Sequence, residues 1–348
     1  MTNRLRVAVV GVGYLGRFHA LIYSRMPDAA LVGVVDPDAD RAYAVAAEAG
    51  CATFTDAEML LERVDAVSIV APTSVHLEVA APFLRRGVHT MLEKPIAATR
   101  EEGEEIVRLA EQSGAILQIG HLERFNAGVM ALARKISAPR YMETQRMGGF
   151  TERAADVDVI SDLMIHDIDI ILSLMGSPIR GIAAVGTSVL TEQIDIANVR
   201  LEFADGAVAN MVASRVSDRK MRRIRVFQPS VYLSLDFITQ TIDSAYPKAV
   251  RGAERPEIVR ERIKIEPVKP LDRELEAFVQ CVQASRPPLV DGRVGLEALK
   301  VALDVQSSIR VVRQFEQLHL LATASHSPPP FCPSLSPTSA GRQRTGKT

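Results

Sequence analysis

The run Gly11-Val-Gly13-Tyr14-Leu15-Gly16 directly follows an apolar stretch, Arg6–Val10, and opens a helical pattern over Tyr14–Met26. Three glycines at that spacing between strand and helix leave few foldings open. Gly11 permits a tight turn, Gly13 leaves the backbone open to close approach by a ligand, and Gly16 lets helix and strand lie close together. The helix start then presents unpaired N–H groups and the positive end of its dipole, a seat for phosphate. Asp36 stands 20 residues after Gly16, at the end of a second apolar stretch, Ala30–Val35. A carboxylate there accepts hydrogen bonds from the adenosine ribose and repels a 2′-phosphate, so the expected cofactor is NAD, with NADP less favoured.

The same alternation continues. Ala66–Ala71 and His89–Leu92 read as buried strands, and Ala39–Ala49, Val75–Arg86 and Thr99–Ser113 as helices. Strands alternating with helices across short loops predict a doubly wound parallel sheet. The character changes after about residue 123. Segments 140–147, 180–189, 197–203, 207–214 and 224–227 read as strands, with an Asp205-Gly206 hairpin signal between two of them. One helix, Ser161–Met175, interrupts them, and Asp272–Ala284 and Gly295–Phe315 follow late. The expected architecture is α/β: an N-terminal Rossmann domain at 1–122 and a C-terminal α+β domain at 123–320, built on an open, mostly antiparallel sheet. The last helix is expected to return to the first domain. The Ser-, Pro- and Thr-rich end, 321–348, is expected to be a disordered tail.

A chain of 348 residues suits two domains, and a net charge of −1 gives no reason to expect a nucleic-acid partner. The three cysteines lack metal-ligand spacing, no apolar run is long enough to span a bilayer, and the N-terminus lacks a secretory pattern. These features point to a cytoplasmic protein without a membrane partner or a metal. The open second sheet predicts a homodimer or homotetramer packed through it.

Two features suggest chemistry. Glu93-Lys94-Pro95 follows the strand His89–Leu92, so Lys94 belongs at the carboxyl edge of the sheet, where ligands of such sheets bind. Proline biases Lys94 to an extended backbone and makes the bond a candidate for the cis form. Within Ser161–Met175, helical spacing puts Asp162, His166, Asp169 and Ser173 on one stripe between apolar flanks, with Asp167 pointing elsewhere. An ordinary solvent face would carry Lys, Glu and Gln instead. A histidine with an unperturbed pKa near 6.5 is suited to take an alcohol proton, and Lys94 to hold the alcohol oxygen. Asp162 would orient the pair. The residues alone leave open which of His166 and Lys94 accepts the proton.

Taken in order, Gly11-x-Gly13-x-x-Gly16, Ala71-Pro72-Thr73-Ser-x-His76, Glu93-Lys94-Pro95, Gly120-His121-x-x-Arg124-Phe125-Asn126 and Asp162-x-x-x-His166-x-x-Asp169 resemble the glucose–fructose oxidoreductase, inositol dehydrogenase and MocA family over roughly residues 5–315. The resemblance implies a site between two domains, with Lys94, Asp162 and His166 in the catalytic positions. It implies cofactor contacts from Gly11, Gly13, Tyr14, Leu15, Gly16, Asp36, Pro72, Thr73, His76, Glu93 and Lys94. Substrate contacts would come from Lys94, Arg124, Asn126, Asp162 and His166. The approach to the aspartate, Val157-Asp-Val-Ile-Ser161, departs from the family's usual glycine-rich loop.

Residues 120–126, 156–174 and 214–224 resemble the branch that oxidises C3 of UDP-linked N-acetylamino sugars, ahead of transamination toward lipid A. A diphosphate substrate calls for cations, and Arg124, Arg146, Arg215 and Arg219 are available. A charged sheet edge explains the basic run 215–225 at least as well. A free-sugar or inositol dehydrogenase, an enzyme recycling tightly held NAD, and a non-catalytic dinucleotide sensor remain as alternatives.

Overall fold

The computed structural model describes residues 4–151, 157–251, 254–266 and 268–323, with side chains as far as Ile309. Its first half is the expected strand–helix alternation: β1 (Leu5–Val10), α1 (Tyr14–Arg25), β2 (Ala29–Val35), α2 (Ala39–Ala49), β3 (Ala52–Phe54), β4 (Ala66–Ile69), α3 (His76–Arg85), β5 (His89–Glu93), α4 (Arg100–Ser113) and β6 (Leu117–Gly120). The sheet is parallel, in the order β3-β2-β1-β4-β5-β6. Local chemistry sets the helix ends. The Asp38 side chain accepts the Arg41 N–H to start α2, and Gly50 at φ 69° ends it in a left-handed turn.

Alternate residues of β1 enter opposite cores. Val7 and Val9 pack under α1 and α2, while Ala8 and Val10 pack under α3 and α4. The strand order reverses between β1 and β4, which puts the ligand crevice at the carboxyl ends of those strands.

After the short α5 (Ala127–Ala133) come β7 (Tyr141–Met147), α6 (Ile165–Met175), β8 (Ile179–Thr187), β9 (Ile196–Phe203), β10 (Val208–Ser214), β11 (Met221–Gln228), β12 (Val231–Asp236), β13 (Thr241–Lys248) and β14 (Glu257–Lys264). They form an eight-stranded sheet, β14-β13-β12-β11-β7-β10-β9-β8, antiparallel except where β10 lies beside β7. Strict burial alternation along β7 and β9 marks a sheet with one packed face and one open face. Helices α7 (Pro270–Gln283) and α8 (Gly292–Thr323) end the described chain. Leu275, Phe278 and Val279 of α7 complete the core under α1. From α8, Leu296 and Leu299 enter the first sheet's other core, whereas Val301, Val305 and Ile309 enter that of the second sheet.

The fold class is as the sequence predicts, but several elements differ. Strands β3, β6, β12, β13 and β14 have no counterpart in the sequence reading. The helix expected over Ser161–Met175 begins instead as a π turn, Ile160–Met164, before α6 takes over. The Asp158 carboxylate accepts the N–H groups of Ile160 (2.8 Å) and Ser161 (3.1 Å), and the Ile165 N–H reaches back to the Ile160 carbonyl, closing the wider turn. The backbone of α8 continues past residue 320 to Thr323, beyond the expected start of the tail; the rest of 321–348 lies outside the described residues. Residues 1–309 form one compact unit, and residues 310–348 are a second.

Candidate active site

The glycine loop at the end of β1 has the shape a dinucleotide requires. A Cβ on Gly16 would lie 1.9 Å from the Gly11 carbonyl oxygen, so the close approach of α1 to the loop tolerates no side chain. A Cβ on Gly13 would meet no protein atom within 4 Å; that open space is where a pyrophosphate can come against the backbone. No side chain caps the start of α1, so its N–H groups face the same space. Asp36 is buried and accepts the Val12 N–H (2.8 Å) and the Asp38 N–H (2.9 Å), tying the loop to the end of β2.

Arg41 reaches back from α2 to donate to Asp36 at 3.2 Å. Tyr14 is exposed on the first turn of α1, Leu15 is half-buried, and Pro72 and Thr73 begin a 3-10 turn beyond β4. His76 has a structural role in this loop. Its buried ring bridges the carbonyls of Ala71 and Pro95, both at 3.0 Å, and so fastens the loop after β4 to the loop after β5.

At the carboxyl end of β5, Glu93 is buried between His19 (3.3 Å) and Gly120 of β6, where a Cβ would come within 2.8 Å of its carboxyl group. The next residue turns out of the sheet, and the Lys94–Pro95 bond is cis. Lys94 Nζ donates to the Asp162 carbonyl oxygen at 2.8 Å and lies 3.6 Å from Asp162 Oδ1. Burial pulls the Lys94 ammonium below its ordinary range, and the neighbouring Asp162 and Glu93 resist that fall.

His166 opens α6, one turn beyond Asp162. Burial holds its ring well below the usual histidine value, and the positive charges of Lys94 and Arg146 reinforce the effect. Its Nδ1 is buried without a hydrogen-bond partner. The ring is therefore neutral near pH 7. His121, just after β6, is fully buried with neither ring nitrogen paired, and burial with the charge of Lys94 lowers it to about 3.

The stripe expected on one helix face is divided by the π turn. Asp162 joins Lys94, Asp169 accepts from Arg124 (3.2 Å), and the Ser173 hydroxyl donates to the Ile170 carbonyl of its own helix. Asp167 is buried in an ion pair with Arg146 (2.7 Å), which also donates to Glu123 (3.0 Å). Asn126 caps α5 by accepting the Gly128 N–H and donates to Glu123.

The four arginines expected to serve a diphosphate divide between paired and exposed positions. Arg124 and Arg146 are paired as above, Arg215 is buried against Asp195 (2.7 Å), and Arg219 is exposed away from the cavity beside Asp162. That cavity, about 310 Å³, is lined instead by Lys220 and Arg222 together with Arg146 and Arg215. Sequence reasoning missed His121, Lys220 and Arg222 as site residues, although His121 stands inside a quoted motif and the other two inside the basic run. Among the described residues no three His, Cys, Asp or Glu side chains converge to hold a metal, and no helix is long and apolar enough to cross a membrane.

Comparison with known proteins agrees with this geometry. Residues 5–121 match the model of an oxidoreductase family with an NAD-binding Rossmann fold, and residues 130–228 match the GFO/IDH/MocA C-terminal domain. A UDP-N-acetylglucosamine 3-dehydrogenase of Acidithiobacillus ferrooxidans is 38% identical over 311 residues, which cover 89% of this chain and 99% of the relative.

The chain belongs to the GFO/IDH/MocA oxidoreductase family.

Within this family, a solved structure of the Acidithiobacillus enzyme superposes with a TM-score of 0.84 over 89% of this chain and 98% of that one. A scyllo-inositol 2-dehydrogenase (NAD(+)) of Bacillus subtilis is 33% identical over 62% of this chain and 69% of its own length. A scyllo-inositol dehydrogenase of Lactobacillus casei, solved with NAD(H) and scyllo-inositol, shares the fold at a TM-score of 0.75 and 21% identity, over 88% of this chain and 97% of that one. The chain is thus an NAD-dependent oxidoreductase.

His121 and His166 give this family member a pH signature. Each has a folded-state pKa below the unfolded value of about 6.5, so the unfolded chain binds the extra proton. Stability is complete above about pH 6.5 and falls as pH drops, for His121 until about pH 3. Each neutral histidine adds about 1.4 kcal/mol of loss per pH unit in that window. Urea unfolding of the wild type and His121→Gln between pH 7 and pH 4 is expected to give curves that converge by that slope. Parallel curves would contradict a neutral, buried His121.

Proposed function

We propose that the protein oxidises a secondary hydroxyl of a UDP-linked N-acetylamino sugar to a ketone, at C3 of the sugar. The observation that carries the catalytic reading is Lys94 Nζ held by Asp162 at 2.8 Å beside a neutral His166. The Asp162 carbonyl at 2.8 Å and carboxylate at 3.6 Å favour the charged lysine against the pull of burial. Lys94 therefore donates to the substrate oxygen, and the neutral His166 ring accepts the hydroxyl proton. NAD bound along the glycine loop supplies the acceptor for the hydride leaving the carbinol carbon. Asp162 fixes the lysine and shares its charge.

The choice of substrate class draws on the relative matched over nearly its whole length. Oxidation of a free sugar or inositol is the second reading, favoured by the inositol dehydrogenase at 33% identity. Residues 1–122 would bind the cofactor, and residues 123–320 the substrate and a second subunit, in the cytoplasm.

The test is NADH absorbance with NAD⁺ and UDP-N-acetylglucosamine, free N-acetylglucosamine, glucose or myo-inositol, with the ketone trapped. Turnover with the UDP-sugar alone supports the nucleotide-sugar reading. Turnover with inositol or glucose instead replaces it. NAD binding without turnover of any substrate supports a sensor or an enzyme that recycles its bound cofactor. The open face of the eight-stranded sheet carries a row of aromatic rings, Tyr141, Phe227 and Tyr232, with centroids 5.4 and 5.0 Å apart. A dimer or tetramer covering that face is expected by light scattering at micromolar concentration, and a monomer would count against it.

A further inference from the structure

Among the described residues, the cavity beside Asp162 holds more positive charge than its walls neutralise. Of its four cations, Arg146 is engaged by Asp167 and Glu123, and Arg215 by Asp195, Thr191 and the Val157 carbonyl. Lys220 and Arg222 have no carboxylate within ion-pair distance among the described residues. Arg222 of β11 lies directly opposite Arg146 of β7 in the antiparallel register. Like charges facing each other across strands are destabilising, and such pairs are usually offset by a partner. The same strand shows the contrast: Arg225 faces Glu143 in the register and is ion-paired with it. Arg222 is half-buried without such a partner, and burial and Arg146 hold its guanidinium below its ordinary range.

We propose that Arg222 and Lys220 form an anion subsite in this cavity, taking the diphosphate of a substrate whose sugar lies over Lys94 and Asp162. The inference rests on the nucleotide-sugar reading above and names the residues that select that substrate. Asp162 forms a wall of the same cavity, so a ligand occupying it reaches the catalytic group directly. Gly148 and Gly149 also line the cavity and leave space there: a Cβ built on Gly148 would meet no atom within 4 Å, and one on Gly149 only the Ser217 carbonyl oxygen at 3.9 Å. At about 310 Å³ the cavity is at the small end of ligand pockets, room for part of a nucleotide sugar. A guanidinium grips phosphate oxygens through two parallel donors, and an ammonium adds a point charge. An uncharged sugar or inositol would leave both cations unmatched.

The test compares KM for UDP-N-acetylglucosamine and competitive inhibition by UDP in the wild type, Arg222→Met, Lys220→Met and, as a control, Arg219→Met. NAD⁺ binding by fluorescence reports folding in each. A charge-assisted contact to phosphate predicts that Arg222→Met raises KM and the UDP inhibition constant about tenfold to a hundredfold, with a smaller rise for Lys220→Met. Arg219→Met should leave both within about twofold, and added salt should raise the wild-type KM. If Arg222→Met does not fold, Arg222→Lys and Lys220→Met decide: a near-normal KM in the first and a raised one in the second support the subsite. Unchanged KM in the folded Arg222 and Lys220 variants, with the wild type active on the UDP-sugar, overturns the subsite and leaves the substrate reading standing. A wild type that ignores UDP and oxidises inositol overturns both.

Discussion

Replacing His166 with alanine should lower kcat/KM by about 10²- to 10⁴-fold while NAD⁺ binding stays near normal, because a positioned proton acceptor contributes that much to a hydride-transfer reaction. Lys94→Ala should fall in the same range, since its ammonium is the donor held at 2.8 Å from the Asp162 carbonyl and turned toward the place of reaction. The two act on one oxygen, so the double variant should cost little more than either alone. The pH profile separates their roles. A histidine pushed down by burial and by the charge of Lys94 is active in its neutral form, so the acid limb of wild-type kcat/KM should lie below about 6.5. In His166→Asn that limb should disappear. Near-normal turnover in both single variants would refute the assignment.

The second large effect is on stability. Arg146 has only 4% of its side chain exposed and joins Asp167 at 2.7 Å to Glu123 at 3.0 Å, with its guanidinium 5.5 Å from the Phe237 ring. Burial lifts the Asp167 carboxyl above its usual range even beside this cation. Arg146→Met would leave two carboxylates in the interior without their counter-ion and should cost about 3–5 kcal/mol in urea unfolding. Neutralising the carboxylates as well, in Arg146→Met with Asp167→Leu and Glu123→Leu, should recover much of that loss. A single-variant loss below about 1 kcal/mol would mean the triad relaxes into water instead.

What the sequence disclosed follows the range of each signal. The glycine loop, Asp36 and Lys94 depend on near neighbours: a turn, a strand end, a helix start. Their positions can be read without the rest of the molecule, and the parallel sheet follows from the same alternation. The π turn was hidden because a regular period of 3.6 was assumed across Ser161–Met175, whereas one carboxylate, Asp158, gathers two amides and widens the turn. Strand β14, Glu-Ile-Val-Arg-Glu-Arg-Ile-Lys, lies at the sheet edge, and its charges mask the alternation on which strand detection relies.

Arg146 and Arg215 looked like ligands for phosphate because their true partners come from elsewhere in the chain. Glu123 precedes α5, Asp167 sits in α6, and Asp195 stands just before β9. Once those pairs are drawn, Lys220 and Arg222 are the cations left in the cavity. Which arginines are engaged is a property of the folded chain that no spacing rule reports.

The last helix links the making of the protein to its chemistry. Gln306 of α8 donates to both Asp158 and Ser161 at 2.8 Å, bracing the turn that carries Asp162. Val301, Val305 and Ile309 from the same rod complete the core beneath it, and α7 closes the first sheet under α1. On a ribosome, domains ordinarily fold in turn from the N-terminus. Here every proposed catalytic side chain has been synthesised well before the residues that brace them. A nascent or truncated chain ending before α8 would carry Lys94, Asp162 and His166 and is expected to lack a working centre until that helix is made.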